Sequence, residues 1–302
     1  MPAKGRLAAI RDGCGFFVFY IWQIWIIAVL KREILKKGAF YASIKAQKDM
    51  RRGWNCVFCV EIAGIPIGIE NQYPFVYKQC EGYIERAKPP AFKVSVSEKE
   101  VLEEQNGNFQ FSRGYCESLC LYRKICCKLA VYDAFLMHAS VIAVDGVAYA
   151  FTAPSGIGKT THTKLWLKEF GERVQVVNGD KPVFRFIGDT LYACGTPWQG
   201  KEGLGNNIMC PLKAVCFLEQ SKTNHIRLLR PDEVTERIFH QILIPKEEEE
   251  FNRFWPLLEK MVAEVDFYLL RCNQEQEAAQ LAYRTMSRRK EDAENKKRFS
   301  AS

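Results

Sequence analysis

The densest chemistry in the chain lies where Ala153, Pro154, Ser155, Gly156, Ile157, Gly158, Lys159, Thr160 and Thr161 follow one another. With alanine in place of a first glycine, this reads A-x-x-x-x-G-K-T, the spacing of a phosphate-binding loop. Gly156 and Gly158 let backbone N–H groups converge on an anion without side-chain obstruction. Lys159 would bridge the β- and γ-phosphates of ATP, and the Thr160 hydroxyl would ligate Mg2+. These nine positions are the expected nucleotide contacts.

Two more residues join this set by position. The run VQVVNGDKP delivers Asp180 at the end of an apolar strand, twenty residues after Thr160. A carboxylate there is expected to hold Mg2+ or its water, so Thr160 and Asp180 form the expected metal set. A plain N-G-D turn is the competing reading. His138 opens the strand that precedes the loop's own hairpin, and a lone histidine is more often structural than reactive. Further on, YACGTPWQGKEGLGNN joins Gly195, Gly200, Gly203 and Gly205 to Trp198 and Lys201 in a long polar loop. Loops of this kind carry function more often than packing. Lys201 reads equally as a phosphate neutraliser and as solvated loop charge.

The phosphate-loop motif needs a strand before it and a helix after it. VAYAFTA precedes the loop, and KTTHTKLWLKEF, closed by Gly171, follows with its N-terminal dipole toward the loop. ASVIAVDG pairs with VAYAFTA through a turn at Asp145-Gly146. Upstream, strands turn at Ala63-Gly64, a helix is expected over residues 74–85, and FKVSVS alternates as a strand. Ser97 and Glu100 have capping-box spacing ahead of a charged helix, and a second helix is expected over residues 115–129. Residues 211–286 add strands and helices without new motifs. The resulting layout is a small α/β subdomain over residues 54–133 and a larger α/β domain over residues 134–286. A charged, apolar-poor tail at 287–302 is expected to be disordered.

The net charge of +8 resides entirely in residues 1–52, where eleven basic side chains face three acidic ones. The rest of the chain sums to zero, which excludes a basic nucleic-acid groove in the folded body. Within residues 1–53 the sixteen-residue run GFFVFYIWQIWIIAVL carries basic residues on both flanks. It reads either as a membrane anchor or as upstream sequence translated ahead of a start at Met50. As an anchor, its heavier C-terminal positive flank would hold the body in the cytoplasm. Twelve cysteines agree with a reducing compartment. Cys56 and Cys59 would face opposite sides of a strand, with no second pair to complete a zinc site. Cys116, Cys120, Cys126 and Cys127 are expected to act as small buried hydrophobes.

MHASVIAVDG, APSGIGKTTH, VVNGDKP and GKEGLGNN together resemble the C-terminal catalytic domain of the HPr serine kinase/phosphorylases. ESLCLYRK, YDAFLMHAS, GTPW-x-GKE and PLKAVCFLEQ are more closely similar to HPr-kinase-related proteins of clostridia and of peptide-modification gene clusters. The resemblance covers about residues 54–285, most strongly 134–220. It implies a P-loop nucleotide-binding domain of the HPr kinase/phosphoenolpyruvate carboxykinase-like type. The family's histidine ahead of the loop falls on His138. Its Asp-Asp pair, which handles the proton of the serine hydroxyl, falls on Gly179-Asp180, so one acid is absent. Its arginine before a GLG element falls on Glu202 ahead of Gly203-Leu204-Gly205. The N-terminal domain of the true HPr kinases does not resemble residues 54–130, so HPr is not the expected acceptor.

The expected function is therefore an ATP- and Mg2+-dependent kinase that phosphorylates a hydroxyl, a serine of a protein or peptide. Lys159 would hold phosphate, Asp180 would orient the acceptor and His138 would assist. The alternative is a non-catalytic nucleotide-binding accessory protein, favoured by the absent acid. A small-molecule kinase or decarboxylating carboxykinase would need arginines near residues 195–207, and none stands there. The sequence leaves the oligomeric state open, a homo-oligomer included.

Overall fold

The computed structural model describes residues 56–107 and 109–288. The apolar segment at 15–30 and the tail beyond residue 288 lie outside the described residues. Among the described residues, no helix is long and apolar enough to cross a membrane.

Two hairpins form as their turn residues dictate. Strands β1 (Cys56–Ile62) and β2 (Ile65–Asn71) pair antiparallel around Ala63 and Gly64, with φ of 54° and 72°. Strands β6 (Ser140–Val144) and β7 (Val147–Thr152) do the same around Asp145 and Gly146, at 50° and 82°. Positive φ at both central positions gives the turn whose twist matches that of the strands.

The helix expected over 74–85 is shorter. Helix α1 spans Pro74–Gln79, and β3 (Ile84–Glu85) instead pairs with β1, placing Ile84 beside Val60. Long-range pairing overrides local helix propensity there. Strand β4 (Phe92–Ser95) completes a four-stranded sheet in the order β3-β1-β2-β4. Helix α2 (Glu98–Asn106) starts at the expected capping box: the Glu100 N–H donates to Ser97 Oγ, and the Ser97 N–H to Glu100 Oε2. Helix α3 (Arg113–Leu129) begins two residues earlier than expected, because Ser112 Oγ caps it by accepting from the Tyr115 N–H. Its buried Cys116, Cys120, Leu121, Ile125 and Leu129 cover the small sheet, and the described cysteines are all free thiols. This apolar core continues past residue 133 to Ala134, Leu136, Val183, Cys194 and Trp198, so the small sheet and its larger neighbour share it.

Glu117 on α3 is fully buried beneath the start of α1. The N–H of Gln72 donates to its Oε1 at 2.6 Å and that of Tyr73 to Oε2 at 3.1 Å, serving an end that no side chain caps. Burial pushes its pKa up from 4.5 to about 7 against those two hydrogen bonds. The unfolded chain therefore releases this proton first, and Glu117 withdraws stability as pH rises from 4.5 to about 7. Glu117→Gln should flatten that slope, which amounts to at most about 3 kcal/mol. Urea unfolding of both proteins near pH 5 and near pH 7.5 checks it; equal slopes would refute it.

The remaining strands are β5 (Ala134–Leu136), β8 (Val174–Asn178), β9 (Val183–Ile187), β10 (Thr190–Cys194), β11 (Met209–Gln220), β12 (His225–Leu228) and β13 (Asp266–Cys272). They join β6 and β7 in a nine-stranded sheet. Its main path is β5-β9-β10-β11-β7-β6-β8, with β13 beside β11 and β12 beside β13. Strand β11 pairs antiparallel with β10 over its first residues, then runs parallel to both β7 and β13. Alternate residues face opposite layers. Tyr149 and Phe151 pack under helices α4 (Lys159–Phe170) and α7 (Gln276–Met286). Ala148 and Ala150 face α5 (Pro231–Ile238) and α6 (Glu248–Glu264). The molecule is thus a mixed α/β protein.

The strand directions decide where chemistry can assemble. Strand β6 runs antiparallel to both β7 and β8, so the last residues of β7 and β8 and the first of β6 share one edge. Ligands of open α/β sheets bind at the carboxyl ends of the parallel strands.

Candidate functional site

Three of the sequence-singled segments meet at that edge: the loop after β7, Gly179-Asp180 after β8, and His138 just ahead of β6. Gly156 has φ of 79° and Gly158 of 120°, values that only glycine adopts cheaply, and Gly158 turns the chain directly into α4. No side chain caps α4, so its first N–H groups and its dipole are presented to the loop. Pro154, Ser155 and Gly156 are exposed, Ile157, Gly158, Thr160 and Thr161 half-buried, and Ala153 buried. Lys159 folds back inside, its Nζ donating to the Ala153 carbonyl at 2.7 Å. Burial pushes its pKa down from 10.5 to about 8, with Asp180 opposing and Lys181 adding to the shift. Lys159 and Asp180 therefore sense one another across the site.

Asp180 is held from two sides. Its Oδ1 lies 3.1 Å from His138 Nδ1, and its Oδ2 contacts the Lys181 ammonium. The same His138 nitrogen is 3.1 Å from the Asp180 carbonyl. Both neighbours accept, so that nitrogen carries the proton of the ring. Burial keeps His138 below its ordinary pKa even though Asp180 pulls the other way, leaving the imidazole neutral. For Asp180, burial raises the pKa, but the His138 hydrogen bond and the Lys181 charge outweigh it and hold the carboxyl well below its usual range.

Residues without any motif build the frame. Asn178 Oδ1 accepts from the N–H groups of Asp180 and Lys181, and its amide donates to Thr196. Asn178-Gly179-Asp180 is thus a turn closed by the Asn178 side chain, and that turn fixes Asp180. Gln241, from the segment after α5, accepts from the His138 N–H at its backbone and from Thr152 Oγ1 at its side chain. No local pattern marks Gln241, because packing across the sheet places it. The 195–208 loop lies over Gly179, whose N–H donates to the Leu204 carbonyl. A Cβ at position 179 would stand 3.1 Å from Leu204 O and 3.2 Å from Gln199 O. A second acid at this position would need the 195–208 loop to give by a few tenths of an ångström.

Within this loop, Trp198 is a core residue, its indole N–H donating to Ser118 Oγ on α3. Lys201 is exposed. Glu202 sits 3.3 Å from Lys164 on α4. His162, one turn into α4, is buried and accepts from the Trp166 indole N–H at 3.0 Å; burial pushes its pKa down to about 3. A small cleft beside the loop is walled by Ile157, Gly158, Thr161, Leu165, Gln220 and Asn273. Among the described residues no group of three or more His, Cys, Asp and Glu side chains could hold a metal ion. The expected pair, the Thr160 hydroxyl and the Asp180 carboxylate, are hard oxygen donors, the kind that Mg2+ takes one or two at a time beside waters and phosphates.

No protein-family model matches the chain, and no curated protein matches it in sequence. Among solved structures it is similar to the Hpr(Ser) kinase/phosphatase from Coxiella burnetii, at 13% identity and a TM-score of 0.24. That likeness covers 42% of this chain and 93% of the other. A likeness at that score decides neither the fold type nor the activity.

Proposed function

We propose that the chain is an ATP- and Mg2+-dependent kinase of the P-loop type, transferring the γ-phosphoryl group to a serine hydroxyl of a protein or peptide. The observation that carries this reading is the convergence at one sheet edge of a glycine loop, an uncapped helix end with its lysine, and a carboxylate held by a histidine. In it, the β- and γ-phosphates lie on the loop N–H groups, and Lys159 leaves the Ala153 carbonyl to reach them. Thr160 and Asp180 would hold the metal, which when bound would spread the charge of the transferring group. The acceptor oxygen forms a bond to the γ-phosphorus as the bond to the bridging oxygen breaks and ADP leaves. The hydroxyl proton passes to Asp180. A carboxylate with so low a pKa orients the hydroxyl more than it pulls the proton early, which suffices for a loose transition state. His138, neutral and protonated at Nδ1, fixes the angle of that carboxylate.

The full chain incubated with γ-labelled ATP, Mg2+ and fractionated host lysate should place label on a serine of one component. ATP binding without transfer to any component would favour a non-catalytic nucleotide-binding accessory protein. The single carboxylate, with glycine beside it at position 179, is the feature that supports that second reading. Absence of ATP binding would overturn both.

A further inference from the structure

Both oxygens of Asp180 have a partner within the chain, one the imidazole of His138 and the other the ammonium of Lys181. The Lys181–Asp180 pair is not a solvated surface contact: the two side chains are 22% and 20% exposed. Lys181 is also rooted at both ends of its backbone. Its N–H donates to Asn178 Oδ1 at 2.7 Å, and its carbonyl accepts from the Thr196 hydroxyl at 2.7 Å. The ammonium stands 5.9 Å from the centre of the Tyr122 ring, which packs against Trp198.

A metal ion that takes Asp180 as a ligand meets this arrangement. The neutral His138 can keep its hydrogen bond on Oδ1. Lys181 cannot keep its place, since two cations on one carboxylate oxygen repel strongly where water is largely excluded. With its backbone fixed, the displaced ammonium travels only as far as its four-carbon stem allows. The negative charge that enters this space with the metal is that of the phosphates, and a lysine serves phosphate as a point charge.

We propose that Lys181 is a second phosphate-binding cation of the site. Its ammonium holds the place of the metal on Asp180 in the ligand-free protein and passes to the transferring phosphoryl group when ATP and Mg2+ bind. This rests on the kinase reading above and adds to it a residue outside the phosphate-loop motif. Such a device keeps Asp180 ionised and oriented between turnovers, and couples metal arrival to the delivery of a positive charge.

The test is calorimetric titration of the full chain with ATP over a series of free Mg2+ concentrations, with single-turnover transfer measured beside it. In Lys181→Met, Mg2+ no longer competes with an internal cation. The Mg2+ concentration giving half of the metal-dependent gain in ATP affinity should then fall roughly fivefold or more. Transfer at saturating Mg2+ should fall by about 10²–10³. Lys181→Arg, which keeps the charge, should hold the wild-type midpoint within about twofold. A Lys181→Met midpoint equal to or above that of the wild type overturns the inference while leaving the kinase reading intact. So does a Lys181→Arg midpoint as low as that of Lys181→Met. A wild type that binds no ATP at any Mg2+ concentration removes the kinase reading and this inference together.

Discussion

A protein carrying Lys159→Met is expected to fold at least as well as the wild type and to lose phosphoryl transfer by roughly 10³ or more. The two halves of that result have one cause. Lys159 is buried, and burial pushes its pKa down to about 8, so the site tolerates its charge poorly. Holding it charged costs up to about 3 kcal/mol, offset in part by its hydrogen bond to the Ala153 carbonyl. Methionine fills similar space without that charge, so its melting temperature should equal or exceed that of the wild type. Phosphates reverse the balance, because a desolvated ammonium gains most when an anion arrives beside it.

The same shift has two signatures in pH. Wild-type kcat/KM should decline as pH rises through about 8, because that ratio reports the free enzyme's groups and Lys159 loses its proton there. Stability moves the opposite way. Between about 8 and 10.5 the unfolded chain holds a proton that the folded chain has released, so Lys159 makes unfolding harder as pH climbs. Denaturant unfolding near pH 8 and near pH 10 should show that rise in the wild type and less of it in Lys159→Met. A methionine variant clearly less stable than the wild type would mean that the ammonium serves the fold instead.

What the sequence made visible is what chemistry fixes locally. The loop and α4 could be read because glycines, a lysine and a helix start stand at set offsets, and α4 spans the expected Lys159–Phe170. Asp180 was legible as the polar end of an apolar strand. The two hairpin turns announced themselves through Gly64 and Gly146. The rest depended on partners distant in the chain. Trp198 reads as part of a polar loop, yet Ser118, eighty residues away, draws its indole into the shared core. Helix α1 stops early because Ile84 finds Val60. Lys181 simply follows the acid in sequence, and only the bonds of its backbone to Asn178 and Thr196 hold it where its ammonium meets the carboxylate. Gln241 has no local signal, since its role arises where the sheet brings it against Thr152 and His138.

Asp180→Asn separates binding from chemistry. The amide is nearly isosteric, and its oxygen still accepts from His138 Nδ1, so the edge of the sheet should keep its shape. Lys181 then faces no anion, and the site carries one more unit of positive charge toward incoming phosphates. ATP affinity without Mg2+ should therefore stay at or above the wild-type value. The further gain that Mg2+ brings should shrink, because the amide oxygen is a weaker ligand for a hard cation than a carboxylate. Single-turnover transfer, followed by rapid quench, should fall by roughly 10²–10⁴, as acceptor orientation and proton removal are lost together. Stability supplies an independent check. The carboxyl is held below its usual range, so it stabilises the fold above pH 3.8 and loses that contribution as pH falls further, a limb the Asn variant should lack. If Asp180→Asn transferred phosphate at the wild-type rate, the carboxylate would be a structural tether for His138 and Lys181, and the proton of the acceptor would have to leave by another route.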